Sequence, residues 1–400
     1  MLRILRVVPF YAPAYGYGGP VVHSVNISKQ QAALGHDVRV FTTNILKHDL
    51  ISKELPKFEV IDNVKIYRFP IFYRLGQSHF FITPSLPSGF FKYDYDILHV
   101  HSYRTFQTII ATIINRQKKK PFVFSAHGTL RNMYLLRLFL TKNKEANRMR
   151  YFDYVFKNIF LKTIDRVIVH SKHEKWWTLK FDVPEEKIRI IPHGVNVENF
   201  TNSEYKNNFI NKYKPNGKII LYVGRLLRNY RRLDYLIESM KTISKEYKDA
   251  KLWIIGHSYD KDYESELKRL VFTSKLTNKV IFVTNPSRED IFGAYQAANV
   301  FVFPITESDS FGIPLIEAGA AKTPVISTNR GPAPELIIDG ETGFLINKDD
   351  KSQLVDKILK ILDNEKLEQK MGQKANELVL KKYTWETVAK QTGKIYKELI

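Results

Sequence analysis

The stretch V-F-V-F-P-I-T-E-S-D-S-F-G-I-P-L-I-E-A-G, Val300 to Gly319, decides the fold. Its first four residues are β-branched or aromatic, the composition of a buried strand. Gly312-Ile313-Pro314 then marks a helix start, because proline is tolerated in the first turn, and the run Leu315–Ala321 continues the helix. A strand that feeds a helix through a short loop is half of a parallel β-α-β unit. Three acids, Glu307, Asp309 and Glu317, fall at the carboxyl edge of that strand, where open α/β sheets bind ligands.

The same alternation runs along the rest of the chain. One series of strands is expected at Arg3–Val8, Asp37–Thr42, Lys65–Phe69, Ile97–Val100, Phe122–Ser125, Arg166–Val169 and Ile188–Ile191. A second is expected at Lys218–Val223, Lys251–Ile255, Lys279–Val283, Val300–Phe303, Pro324–Ser327 and Gly343–Ile346. Each series is one doubly wound domain, and a polar, Asn-rich break between Val195 and Gly217 separates them. The expected architecture is α/β: two Rossmann-like parallel-sheet domains facing across a cleft, residues 1–200 and 201–383. Residues 384–400 read as an amphipathic helix with Trp385, Val388, Ile395 and Tyr396 as its apolar positions, packing back on the N-terminal domain and adding nothing chemical.

Composition bounds the function. The chain has 400 residues, 44% apolar and 13% aromatic, which is globular. It has no cysteine, so disulfides and thiolate metal sites are excluded. The net charge of +21 favours anionic partners, but no nucleic-acid-binding module accompanies it, and nucleic acid is not expected as a partner. The amino terminus reads as a first strand and not a signal peptide, and no run has the length of a membrane span. A cytoplasmic protein is expected.

Several strand ends carry candidate chemistry. The first βα loop, Pro9–Pro20, is long and contains Gly18-Gly19 just before a helix, where backbone N–H groups can approach a ligand. It is not a G-x-G-x-x-G fingerprint, so a standard dinucleotide site is disfavoured. Gly224-Arg225 follows Lys218–Val223, and Arg225 is the better phosphate candidate; Arg228 and Arg232 read as a solvated basic face. Free N–H groups at the helix start near Gly312 suit an anion, and Glu317, one turn inside, suits the hydroxyls of a ribose diol. His101, His127 and His193 each follow a strand, and His127 is favoured because Gly128 leaves room for a ligand. Asp94-Tyr95-Asp96 resembles a metal-binding D-x-D, but it sits at an amino edge and reads as turn chemistry, with no metal expected.

Taken in order, these motifs resemble the GT-B-fold glycosyltransferases of family GT4, over nearly the full length. The matching residues are G-G-P at Gly18–Pro20, G-H-D-V at Gly35–Val38, S-A-H-G at Ser125–Gly128, P-H-G-V at Pro192–Val195, V-G-R-L at Val223–Leu226 and D-S-F-G-I-P-L-I-E-A at Asp309–Ala318, similar to the family's E-x7-E motif. The resemblance implies hexosyl transfer from a UDP- or GDP-linked sugar to a glycan or lipid-linked acceptor, with retention and without an essential metal or other cofactor. It implies that Glu317 holds the ribose hydroxyls, and that Asp309 contacts the donor sugar. Arg225 and Arg231 would neutralise the diphosphate, with Ser310, Phe311, Gly312 and Ile313 contacting the donor. Gly18 and Gly19 would border the donor phosphates and acceptor, and His127 would contact the transferred sugar near the reacting carbon. Four positions depart from the family pattern: Asp309 stands for Glu, Arg231 for Lys in a loop one residue longer, Arg232 for Gly, and His193 for Asn.

Two other functions fit the same cleft: a glycoside phosphorylase or hydrolase, and a non-catalytic nucleotide-sugar-binding protein. Hydrolysis requires two carboxylates flanking a glycosidic bond, whereas these acids adjoin an expected phosphate site. The segment Leu130–Trp177, basic and rich in aromatics, has two readings. One is a patch that meets an anionic membrane, placing the protein at the inner membrane surface. The other is a set of core-facing helices with solvated basic faces.

Overall fold

Arg3–Val7 (β1) is the strand around which the first sheet is ordered, and it buries a charge: Arg6, like Ile4, Leu5 and Val7 beside it in sequence, is fully buried. The computed structural model describes residues 1–47, 50–75, 80–131, 144–226, 228, 231–258 and 260–400, with residues 144–146 described for backbone only. After β1 come β2 (Asp37–Thr43), the ribbon β3 (Ile45–Lys47) and β4 (Leu50–Ile51), β5 (Phe58–Ile61), β6 (Val64–Phe69) and the ribbon β7 (Tyr73–Arg74) and β8 (Phe81–Ile82). Then follow β9 (Ile97–His101), β10 (Phe122–Ser125), β11 (Arg166–Val169) and β12 (Ile188–Ile190). The main sheet has eight strands in the order β12-β11-β10-β9-β1-β2-β6-β5. All its pairs are parallel except β5 with β6. The sequence gives little sign of β5, because it is an edge strand whose Phe58, Val60 and Ile61 are exposed, so it has no buried run.

The second sheet is formed by β13 (Ile219–Val223), β14 (Lys251–Ile255), β15 (Val280–Val283), β16 (Val300–Phe303), β17 (Val325–Thr328) and β18 (Gly343–Ile346). Its order, β15-β14-β13-β16-β17-β18, is wholly parallel and reverses direction between β13 and β16. β13 and β16 are buried along their whole length, as strands covered by helices on both faces must be.

The chain divides into two units, residues 1–194 with 385–400, and 195–384. The change of unit comes at Gly194/Val195, earlier than the boundary expected after residue 200. The helix Trp385–Lys397 belongs to the first unit and buries Trp385, Val388, Ala389, Thr392, Ile395 and Tyr396. Each of its large apolar side chains contributes about 1.5–3 kcal/mol of transfer free energy. Gly194 faces the Trp385 indole so closely that a Cβ there would lie 2.5 Å from Cδ2. Among the described residues, no helix is long and apolar enough to cross a membrane.

Candidate functional site

In the second unit, the candidate residues gather where the strand order reverses, after β13 and β16. Arg225 lies exposed just past β13. Arg231 is buried; its Nη2 donates to Asp309 Oδ1 at 2.6 Å, and its guanidinium stands 4.4 Å from the Phe303 ring centroid. The other Asp309 oxygen, Oδ2, accepts from the Thr306 backbone N–H at 2.9 Å. Two residues expected to meet diphosphate and sugar separately are thus joined as one buried ion pair that also closes the 306–309 turn. Burying the charges is costly, and the added hydrogen bonds offset part of that cost.

The helix Ile313–Ala320 starts from Gly312, whose φ of 96° is left-handed and suits glycine. Glu317 lies one turn in, and its Oε2 accepts from the Tyr295 hydroxyl at 3.2 Å. Burial pushes the Glu317 carboxyl above its ordinary value, while Tyr295 and Arg288 pull it down. Such a group accepts hydrogen bonds from hydroxyls and has little tolerance for an adjacent anion. Ser310, Gly312 and Ile313 are half-buried at the helix start. The Phe311 ring is buried in the core beside Tyr383, centroids 6.0 Å apart, so its backbone and not its ring is what this position could offer a donor. At the carboxyl ends of β16, β17 and β18 lies a cavity of about 350 Å³, lined by Arg231, Tyr235, Thr306, Ser308, Thr328 and Arg330 among others.

The remaining charges behave structurally. Glu307 is exposed and pairs with Arg330. Arg228 pairs with Glu266 at 2.5 and 2.7 Å, and Arg232 with Asp234 and Asp349. Asp94 and Asp96 both pair with Arg3, at 2.8 and 2.6 Å.

In the first unit, Gly18 (φ 81°) caps the helix Gly19–Ala33 after the β1 loop. Six histidines collect at the carboxyl edge of this sheet, five of them buried and His127 half-buried: His23 in that helix, His99 and His101 on β9, and His127, His170 and His193 after β10, β11 and β12. Arg6 Nε donates to His101 Nε2 at 3.1 Å. His101 Nδ1 lies 2.8 Å from His127 Nε2, His127 Nδ1 lies 2.9 Å from His170 Nε2, and His170 Nδ1 lies 2.9 Å from the Ile191 carbonyl. Tyr396 OH lies 2.5 Å from His99 Nδ1, and His99 Nε2 lies 2.8 Å from Ser125 Oγ. The C-terminal helix, expected to add nothing chemical, therefore enters this polar network.

Burial lowers the affinity of all six imidazoles for a second proton, and that of His170 to about 4. Glu174 ties two of the histidine loops together, its Oε1 accepting from Gly128 N–H and its Oε2 from His170 N–H at 2.6 Å. Burial pushes this carboxyl up to about 7, against the two N–H donors and Arg131. His23, His170 and His193 bring ligand atoms within 4.8 Å of one another, close enough to suggest a metal. The fit is poor: both His170 nitrogens are engaged by His127 and Ile191, and the Nδ1 atoms of His23 and His193 already share a hydrogen bond at 3.0 Å.

Residues 17–199 match the family described as Glycosyltransferase Family 4, and residues 204–378 match Glycosyl transferases group 1. The chain belongs to the group 1 glycosyltransferases. It is 27% identical to a glycosyltransferase of Methanocaldococcus jannaschii, over 99% of this chain and 98% of that one. It is 24% identical to the phosphatidyl-myo-inositol mannosyltransferase of Mycobacterium leprae, over 95% and 92%. Among solved structures it resembles Anabaena HepE in complex with UDP and glucose, with a TM-score of 0.75 and 17% identity over the whole of both chains. The glycosyltransferase has the GT-B fold and is a transferase of glycosyl groups.

Sequence reasoning missed Arg6, His23, His99, His170, Glu174, Tyr295 and Arg288. Three of them left a signal. Arg6 is a charge in the middle of a central strand, among Ile4, Leu5 and Val7 in sequence. His170 follows β11 directly, as His101 ends β9. Glu174 completes S-x-x-E from Ser171, whose side chain caps the helix Lys172–Lys180. The others are placed by tertiary contacts that no local pattern shows.

Proposed function

We propose that this glycosyltransferase moves a hexosyl unit from a UDP- or GDP-linked sugar to a glycan or lipid-linked acceptor, with retention and without an essential metal. The observation that carries this reading is the grouping at the β13/β16 reversal: Arg225, the Arg231–Asp309 pair, the helix start at Gly312, and Glu317 held by Tyr295. Arg225 and Arg231 suit the diphosphate, the Glu317 carboxyl suits the ribose hydroxyls, and Asp309 suits the sugar. Gly18 and Gly19 would border donor phosphates and acceptor, and His127 the transferred sugar. As the bond to phosphate breaks, negative charge grows on the leaving diphosphate. Fixed guanidinium and N–H donors stabilise it more in the transition state than in the ground state. The leaving phosphate takes the acceptor's proton on the same face, so no carboxylate base is assigned. The UDP in the HepE complex supports a uridine donor.

Calorimetry with a panel of UDP-, GDP- and ADP-sugars tests the reading. Saturable binding of one donor, weakened by Arg225→Ala and by Glu317→Ala, is expected; no binding by any donor refutes it. Free sugar released at one rate with and without acceptor would indicate a hydrolase.

For the acceptor side we favour a membrane-surface attachment. On the helix Lys144–Thr163, Tyr151, Tyr154 and Val155 are exposed, while Phe156 and Phe160 are buried on another face; Trp176 is exposed nearby in sequence. Aromatics beside lysines and arginines suit an anionic headgroup layer. Of the charges that a reversal would target, Arg131 is described, and Arg137 and Lys142 lie outside the described residues. Binding to anionic vesicles that persists unchanged after reversal at all three positions refutes this attachment.

A further inference from the structure

The first-unit histidines have an order that packing alone does not require. Arg6 is on β1, His101 ends β9, His127 follows β10, His170 follows β11 and Ile191 follows β12. The sheet order is β12-β11-β10-β9-β1, so the contacts cross five neighbouring strands, one group per strand. One imidazole plus one hydrogen bond spans about the 4.7–4.9 Å between adjacent strands, so the chain keeps step with the sheet.

Both ends of this chain have fixed polarity. Arg6 Nε only donates, so His101 Nε2 accepts and the His101 proton is on Nδ1. That proton goes to His127 Nε2, which leaves the His127 proton on Nδ1, directed at His170 Nε2. The His170 proton is then on Nδ1, directed at the Ile191 carbonyl, which only accepts. Every nitrogen in the chain is used once and no ring carries two protons. The two ends demand the same direction, and a proton reversed at any ring would set lone pair against lone pair.

We propose that Arg6 is a positioning residue for glycosyl transfer: with the Ile191 carbonyl at the other end of this directed chain, it holds His101, His127 and His170 in place as neutral Nδ1–H tautomers, so that His127 meets the sugar as an uncharged ring. Losing Arg6 would loosen the rings from the His101 end, while Ile191 still sets their direction. The functional half of the proposal rests on the reading above that His127 borders the reacting carbon. Glycosyl transfer builds positive charge at that carbon, and an imidazolium beside it would oppose the transition state. With both nitrogens engaged, the ring has no N–H left to protonate or bind the substrate. The role of His127 is then that of a fixed, neutral wall and not an acid. Arg6 is itself held by Ser28 Oγ at 2.5 Å, Gln31 Oε1 at 2.8 Å and Tyr396 OH at 3.3 Å, which anchors the donor end of the chain.

The test is long-range proton–nitrogen correlation on the full chain with 15N-labelled histidine at pH 7, assigned with His101→Gln, His127→Gln and His170→Gln. Three Nδ1–H rings are expected, opposite to the Nε2–H form that free imidazole side chains favour. A His127 ring with its proton on Nε2, or with two protons, overturns the proposal, and this readout needs no substrate. In transfer assays, Arg6→Met is expected to lower kcat at least about tenfold with donor KM within about twofold, and Arg6→Lys, which keeps a donor, to recover most of the loss. A wild-type kcat in a folded Arg6→Met variant overturns the positioning role. If Arg6→Met does not fold, the wild-type tautomers decide. If no nucleotide sugar is turned over, the functional reading fails separately, while the spectra still judge the chain.

Discussion

Acidification should unfold the first unit selectively, and the buried imidazoles set the size of the effect. An unfolded histidine titrates near 6.5, whereas these six stay neutral in the folded chain well below that. A depressed histidine means that the unfolded state binds more protons, so stability is present above pH 6.5 and is lost as pH falls. For His170, held at about 4, linkage gives a loss of about 2 kcal/mol between pH 7 and 5. Glu174 works the other way. Its carboxyl is raised to about 7, so the folded state is the better proton binder, and it gains about 2 kcal/mol over the same interval. These two nearly cancel, and the outcome depends on His23, His99, His101, His127 and His193. Burial lowers the proton affinity of these five as well, so they tip the balance toward loss of stability in acid. The second unit has a single histidine, His257, and a single tryptophan, Trp253; the other three tryptophans are in the first unit. Tryptophan fluorescence of a Trp253→Phe variant during urea titration therefore reports the first unit alone. Its midpoint should fall as pH drops below about 6.5. A midpoint that stays constant from pH 7 to 5 would refute the linkage.

Three further outcomes follow from single contacts. Asp309→Ala leaves Arg231 buried without its carboxylate and should cost about 3–5 kcal/mol in urea unfolding, whereas the paired replacement Arg231→Met with Asp309→Leu should cost much less. Gly194→Ala drives a methyl into the Trp385 indole and should lower stability by about 1–3 kcal/mol; an unchanged melting temperature would contradict that packing. Glu174→Gln keeps one acceptor oxygen for two backbone N–H groups, so at pH 8 it should lose about 1–3 kcal/mol and speed amide exchange at Gly128 or His170.

Much of this fold is legible in the sequence because a covered parallel strand announces itself. Stretches such as Ile219–Val223 and Val300–Phe303 are apolar throughout, and glycine, proline or polar turns bound them. β5 and the ribbons β3–β4 and β7–β8 were not legible, since exposed edge pairs carry no such run. The site divides in the same way. Asp309 and Glu317 are readable from spacing around Gly312, because a strand, a turn and a helix start fix their places locally; Arg231 is singled out only by the family resemblance, since it meets Asp309 through a long-range contact. The histidine network is not. Its members come from a helix and four strand ends, and only the order of the sheet, decided by long-range packing, sets His170 beside His127 or Tyr396 beside His99.

The departures from the family pattern gain meaning from the same geometry. At position 309 an Asp stands where Glu is usual, and at 231 an Arg where Lys is usual; taken separately, each raises the question of reach. Asp309 is one methylene short and cannot extend as far from its turn. It does not need to, because its Oδ2 is spent on the Thr306 N–H and its Oδ1 is met by Arg231, whose longer planar fork spans the gap. The shorter acid and the longer base are complementary, and together they keep a buried pair at 2.6 Å. The pair holds one face of the Arg231 guanidinium through Nη2. If Arg231 meets the diphosphate as proposed above, its remaining N–H donors would face the phosphate while Asp309 fixes the orientation of the fork, and position 309 would then tune donor affinity through Arg231.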